Sequence, residues 1–311
     1  MKALKGLFKR ASIVLFEFGQ LFNVFIVPVH YYVPLASTRQ LRASRAKWNH
    51  PVDLRPLPLD RDRQTKTLRE WIAPFEPEYR GNKTYLDGVQ NRAGPGFGYI
   101  EAQALHAFIR KTRPRRVIEV GSGVSTWCIL SALNRNKNED GKPFELSCID
   151  PNPSGHLSSL PVHLQIAMVE HIDLSFFDRL ESGDFLFIDS SHAVRCCGDV
   201  ARIYCEILPR LKPGVFVHIH DITFPYMFPR DVEQIYVQAM ETTLLFTMLA
   251  NSTHFEVLFC LSLLHYEDQK LLKQVFPDYD PQPNNGGLPG EDVKQFGEPR
   301  HFPSSIYLLT K

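Results

Sequence analysis

Between residues 115 and 222 the apolar positions gather into short runs, rich in β-branched and aromatic residues, that close on acids or glycine. Their spacing predicts strands over 117–120, 144–149, 162–166, 184–189 and 215–220. Helix-compatible stretches over 124–133, 176–180 and 198–211 separate them, the last stopped by Lys212, Pro213 and Gly214, while 134–142 is polar. Strand and helix alternating in this way predict an α/β, doubly wound, mostly parallel sheet. All its strand C-termini then lie along one edge, where ligands bind at the switch point. Further on, a helix is expected over 232–249, a strand over 255–264, a long surface loop over 277–303 and a closing strand over 304–310. That makes seven strands, one of the last two antiparallel.

Upstream the pattern changes. Lys2, Lys5, Lys9 and Arg10 precede an apolar stretch over 11–29 that Glu17, Gln20 and Asn23 interrupt, so no clean run of about 18 apolar residues forms. A basic amphipathic helix lying on a membrane surface fits residues 1–35; packing on the chain's own domain or on a partner subunit, as in a homo-oligomer, is the other reading. Prolines 28, 34, 51, 56, 58, 74 and 77 forbid long helices except over 61–72. The reading is an N-terminal helical, proline-rich arm over 1–80 and a main domain over 81–311. Glycines 81, 88, 94, 96 and 98 mark 82–99 as a loop that leads into a helix over 100–111.

Composition narrows the classes. With 311 residues, 44% hydrophobic, the chain can bury one large core. A formal charge of +1 and no basic aromatic stripe argue against a nucleic-acid partner. The six cysteines lack paired metal spacing, and several fall inside expected strands and helices, as reduced thiols do. This favours a reducing compartment, hence a cytoplasmic protein, peripheral at the inner face of the membrane if the N-terminal helix binds there.

Candidate chemistry sits where the strands end. Gly121, Ser122 and Gly123 turn the chain between strand and helix, a conformation that lets backbone approach a ligand closely. A dinucleotide fingerprint needs a third glycine where Thr126 stands. Glu119, two residues before Gly121, gives E-x-G-x-G, which resembles motif I of class I S-adenosylmethionine-dependent methyltransferases. Glu119, Gly121, Ser122, Gly123 and Ser125 are therefore the expected cofactor contacts, with Asp189 beside them. Asp150, closing the second strand, suits ribose hydroxyls, or else caps an Asx-turn before Pro151. Asp189 and His192 follow the fourth strand, His220 and Asp221 the fifth; His192 and His220 are candidate bases, with Asp221 orienting one of them. His218 shares a face with His220 and is open to a packing role. Asp189 and Asp221 would be neighbours and could share Mg²⁺.

Together, residues 28–34, Phe97-Gly98-Tyr99, 117–126, 187–192, 208–214 and 218–222 resemble a bacterial class I methyltransferase of the family 24 type. The resemblance implies a seven-stranded Rossmann-like methyltransferase sheet, S-adenosylmethionine as cofactor, and in-line methyl transfer to a small-molecule, sugar or glycolipid hydroxyl. Cation-dependent catechol-type methyltransferases place an Asp-Asn pair where this chain has His220-Asp221, a departure that speaks against an obligatory cation. Two other classes stay open: a non-catalytic protein of this fold acting in assembly at a membrane, and an NAD(P)-dependent oxidoreductase.

Overall fold

The computed structural model describes residues 2–91, 97–234, 238–283, 286–289 and 300–311. The chain divides into two units, one of residues 1–50 with 230–238, the other of residues 51–229 with 239–311. Leu57, Leu68, Ile72 and Tyr79, within the span read from sequence as the N-terminal arm, are buried in cores of the second unit.

The first unit holds helix α1, Lys2–Gln20, and the short helices Thr38–Ala43 and Arg45–Trp48. α1 ends in a Schellman-type turn: Asn23 takes φ 57°, Val24 N donates to Gly19 O, and Asn23 N to Gln20 O. Arg45 pairs with Glu233, and the Gln238 amide bonds the backbone of Ala36.

The second unit is built on a seven-stranded sheet in the order β3-β2-β1-β4-β5-β7-β6. The strands are β1 Arg116–Val120, β2 Glu145–Ile149, β3 His163–Gln165, β4 Phe185–Ile188, β5 Phe216–Ile219, β6 Phe255–Cys260 and β7 Ile306–Thr310. β1 to β5 pair in parallel, and β7 runs antiparallel to both β5 and β6. Helices α2, Tyr99–Thr112, and α3, Val124–Asp140, contribute to the core on one face; a second core, around Ile118, Val120, Ile188 and Ile219, fills the other.

Five local readings are corrected. Residues 134–140 continue α3, whose exposed last turns are polar for that reason. Lys83–Gln90 is a helix, Gly88 being buried where an added Cβ would press on Val124 at 3.2 Å. The strand expected over 255–264 stops at Cys260, and Leu261–Glu267 is helical. The late helix is Glu241–Asn251 (α4); residues 231–234 are turns, and 235–237 lie outside the described residues. Within 277–303, Tyr279 and Leu288 are fully buried rather than on a surface loop, whereas 290–299 lie outside the described residues.

Register matters most. Cys148, Glu119, Phe187, His218 and Tyr307 pair across β2, β1, β4, β5 and β7 as one row. Side chains alternate faces along a strand, so Asp150, Gly121, Asp189 and His220 form the next row on the same face. The ladder reaches them: Gly121 N donates to Ile149 O, Asp189 N to Val120 O and His220 N to Ile188 O. The first row is a buried floor and the second is the rim of the sheet edge.

Candidate active site

The glycine turn follows from crowding. Gly121 has φ 81°, and a Cβ there would stand 2.2 Å from the carbonyl oxygen of Asp189. Only glycine lets β1 and β4 close to that distance. Ser122 N and Oγ then donate to Asp150 Oδ2 at 3.0 and 2.5 Å, and Asn152 N donates to Oδ1 at 2.7 Å. Asp150 therefore makes its Asx-turn and still has lone pairs to offer. A cavity of about 330 Å³ opens here, lined among others by Gly121, Ser122, Asp150, Asp189, Ser190 and Arg195.

Glu119 lies in the floor. Its side chain is fully buried and accepts from Ser125 Oγ at 2.7 Å and Cys148 Sγ at 3.1 Å. Burial pushes its carboxyl up to about 7, against the pull of those hydrogen bonds. Glu119 and Ser125 do not line the cavity, and Gly123 N is taken by Thr126 Oγ1. These three shape the turn from within.

His218, also in the floor, stacks on Phe187 with centroids 4.3 Å apart and meets Tyr307 edge-on at 4.8 Å. Neither ring nitrogen has a hydrogen-bond partner among the described residues. Burial lowers its pKa to about 3, so it is a neutral ring.

The rim gathers charge. His192 Nδ1 lies 2.7 Å from Glu241 Oε2, and its Nε2 lies 3.2 Å from Asp189 and 3.4 Å from Asp221. His220 lies 3.1 Å from Glu101, 3.3 Å from Asp189 and 3.6 Å from Asp221, distances of ion pairing without hydrogen-bond angles. Burial opposes charge on both imidazoles, but Asp221 and the other carboxyl groups outweigh it and raise both well above the usual histidine value. Burial also works against Asp189, though 29% of its side chain stays exposed; His220 and His192 prevail and hold its carboxyl well below the usual range. His192 and Asp221 take φ of 57° and 53°, left-handed conformations that cost about 1–2 kcal/mol each and turn the chain at the two strand tips.

The structure thus brings Asp189, His192, His220 and Asp221 together and adds residues the pattern reading missed. Glu241 opens helix α4. Glu101 sits fully buried in the apolar run of α2, accepting from Ser304 N and Ser305 Oγ, each at 2.9 Å. Ser304 also bonds Asp221 at 2.9 Å. An acid inside a buried helix stripe was the one available signal for Glu101. Asp189, His192 and His220 each offer a ligand atom within 4.8 Å of the others, a set that fits a divalent cation. Of the pair expected for Mg²⁺, Asp189 belongs to this set and Asp221 does not.

The chain is similar to several known proteins. Residues 118–222, the span from β1 past the rim, match the family model Methyltransf_24, a methyltransferase domain. An uncharacterised protein of Archaeoglobus fulgidus is 29% identical over 180 residues, covering 53% of this chain and 76% of the relative. The SAH-bound Podospora anserina methyltransferase PaMTH1 superposes with a TM-score of 0.39 at 11% identity, covering 93% of this chain and 99% of that one. The plantazolicin methyltransferase BpumL, in complex with a pentazolic desmethylPZN analog and SAH, gives a TM-score of 0.31 at 11% identity over 80% of this chain and 96% of that one.

Proposed function

We propose that this chain, whose residues 118–222 match a methyltransferase domain, methylates a hydroxyl of a small molecule or saccharide from S-adenosylmethionine. The observation that carries the reading is Asp189, which lines the cavity with one part of its surface and touches both imidazoles with the other. Cofactor side and acceptor side meet at this one residue.

The cofactor supplies an electrophilic methyl group on a sulfonium. The chain's own residues do the rest. The cavity's size falls within the range of small-molecule sites. Asp150, fixed by Ser122 and Asn152, accepts from ribose hydroxyls, and Gly121 keeps the backbone clear for close approach. The acceptor hydroxyl must shed a proton as it attacks. His220 is the nearer base in this reading and His192 a positioning residue clamped by Glu241. The four acidic side chains around them favour the charged form of both imidazoles, so His220 acts as a base once its proton has passed to solvent. A cation held by Asp189, His192 and His220 would supply the same charge compensation, and two imidazole ligands suit Mn²⁺, Fe²⁺ or Zn²⁺ better than Mg²⁺. Thr126, bonded to Gly123 N in place of a third glycine, disfavours a dinucleotide.

Isothermal titration with S-adenosylmethionine and with NAD⁺, each with and without Mn²⁺ or Mg²⁺, tests the reading. Saturable binding of the first alone supports it; binding of NAD⁺ alone overturns it. His220→Ala should keep that affinity and lower turnover by about 10²-fold or more. Unchanged turnover would move the base elsewhere.

A further inference from the structure

Of the 22 large apolar side chains that stand exposed among the described residues, 16 fall within residues 8–35. Phe18, Leu21, Phe22 and Phe25 crowd the end of α1 and the chain that turns back from it, at 54%, 77%, 65% and 71% exposure. Phe16 stacks on Phe25 at 5.6 Å, and Phe18 meets Phe22 edge-on at 5.3 Å. Gly19 makes the hairpin: a Cβ there would stand 2.5 Å from Val24 O and 3.0 Å from Ile26. The segment is therefore a helix with a tightly packed apolar return, wet on all sides.

Basic residues flank it in sequence. The first 50 residues hold eight lysines and arginines against one acid, Glu17, a formal +7 in a chain whose total is +1, which leaves −6 for the rest. Lys9 and Arg10 stand exposed before the apolar end, and Arg39, Arg42 and Lys47 stand exposed after it. No helix among the described residues is long and apolar enough to cross a membrane. Residues 11–20 of α1 span roughly 15 Å at 1.5 Å per residue, about half the ~30 Å hydrocarbon thickness of a bilayer.

We propose that this hairpin inserts its apolar end into one leaflet of an anionic bilayer, with the flanking lysines and arginines resting on the lipid headgroups. The amphipathic helix expected from the sequence is part of this wedge: at 100° per residue Phe8, Ala11, Val14, Leu15 and Phe18 share one side of α1, opposite Lys9, Ser12 and Gln20. An exposed apolar wedge with basic residues before and after it in the chain is complementary to an acidic lipid surface.

Flotation of the full chain with vesicles provides the test. Vesicles of phosphatidylcholine mixed with phosphatidylglycerol should carry the protein up the gradient, and pure phosphatidylcholine should bind it about tenfold or more weakly. Phe22→Asp combined with Phe25→Asp should abolish flotation with an unchanged melting temperature, since both side chains are exposed. Lys9→Glu with Arg10→Glu should remove the preference for phosphatidylglycerol. Failure of the unaltered chain to float with either vesicle overturns the proposal. So does a concentration-dependent dimer in sedimentation velocity that the phenylalanine substitutions dissolve, because a second copy would then cover the hairpin.

Discussion

Two rows of side chains cross the same strands two residues apart, and they treat charge in opposite ways. In the floor, Cys148, Glu119 and His218 are enclosed by β-sheet neighbours and aromatic rings, and burial drives each toward its neutral form. In the rim, Asp189 and His220 lie one pleat further on, and pairing drives both toward their charged forms. Residue type does not decide the difference, since each row has a carboxylic acid and a histidine. What decides it is whether partners of opposite charge arrive. The rim receives Glu101 from α2, Glu241 from α4 and Asp221 from the β5 tip; the floor receives Phe97, Phe187 and Tyr307. Groups in one site pushed apart in this way mark acid–base assignments.

The sharpest way to break the arrangement is at Gly121, where floor and rim are held at contact distance. Gly121→Ala forces a side chain into a left-handed backbone and against the Asp189 carbonyl, at a cost of roughly 4 kcal/mol. Urea unfolding should show that loss, and titration should show no cofactor binding. Valine, an apparent probe of the cofactor contact alone, would damage the sheet still more. A variant of wild-type stability would mean that β1 and β4 are not closed as described.

Glu119 tests the floor by itself. Its folded pKa of about 7 lies above the ordinary 4.5, so the native state binds this proton more tightly than the unfolded state. Stability from that proton is fully present below about pH 4.5 and is lost as pH rises through 7, a swing of about 3 kcal/mol. Glu119→Gln removes the swing. Relative to wild type, the variant should gain about 3 kcal/mol between pH 4.5 and pH 8 in urea titrations. Parallel pH profiles for the two proteins would place an ionised, stably solvated carboxylate at 119.

The contrast also explains what could be read from sequence. Five β-branched or aromatic runs at βαβ spacing gave the parallel strands, because a strand buried on both faces has few other compositions. The rim residues Asp150, Asp189, His192, His220 and Asp221 could be named from the sequence because each closes such a run or follows it within three residues. Glu119 was placed at the ligand by its motif, whereas pleat alternation from Gly121 puts it one row down, under Ser125. Glu101, Glu241 and Ser304 were missed since their positions depend on the tertiary arrangement of α2, α4 and β7. The exposed turns of α3 and the helix Lys83–Gln90 were missed for another reason: polar and glycine-bearing stretches resemble loops until their packing is known.

The smallest effect is the most diagnostic. His218 and His220 share a strand and a face, so a mechanism that merely needed a histidine near Asp189 could use either one. His218→Phe keeps the ring stacked on Phe187 and removes two ring nitrogens that have no hydrogen-bond partner among the described residues. Its effect on stability should lie within about 1 kcal/mol, on the stabilising side if relief of buried nitrogen outweighs the larger ring. Turnover should be unchanged. His220→Phe instead strips Asp189 and Glu101 of a shared cation and should remove turnover. Equal loss of turnover in both variants would show that floor and rim act as one unit, and the division between them would fall.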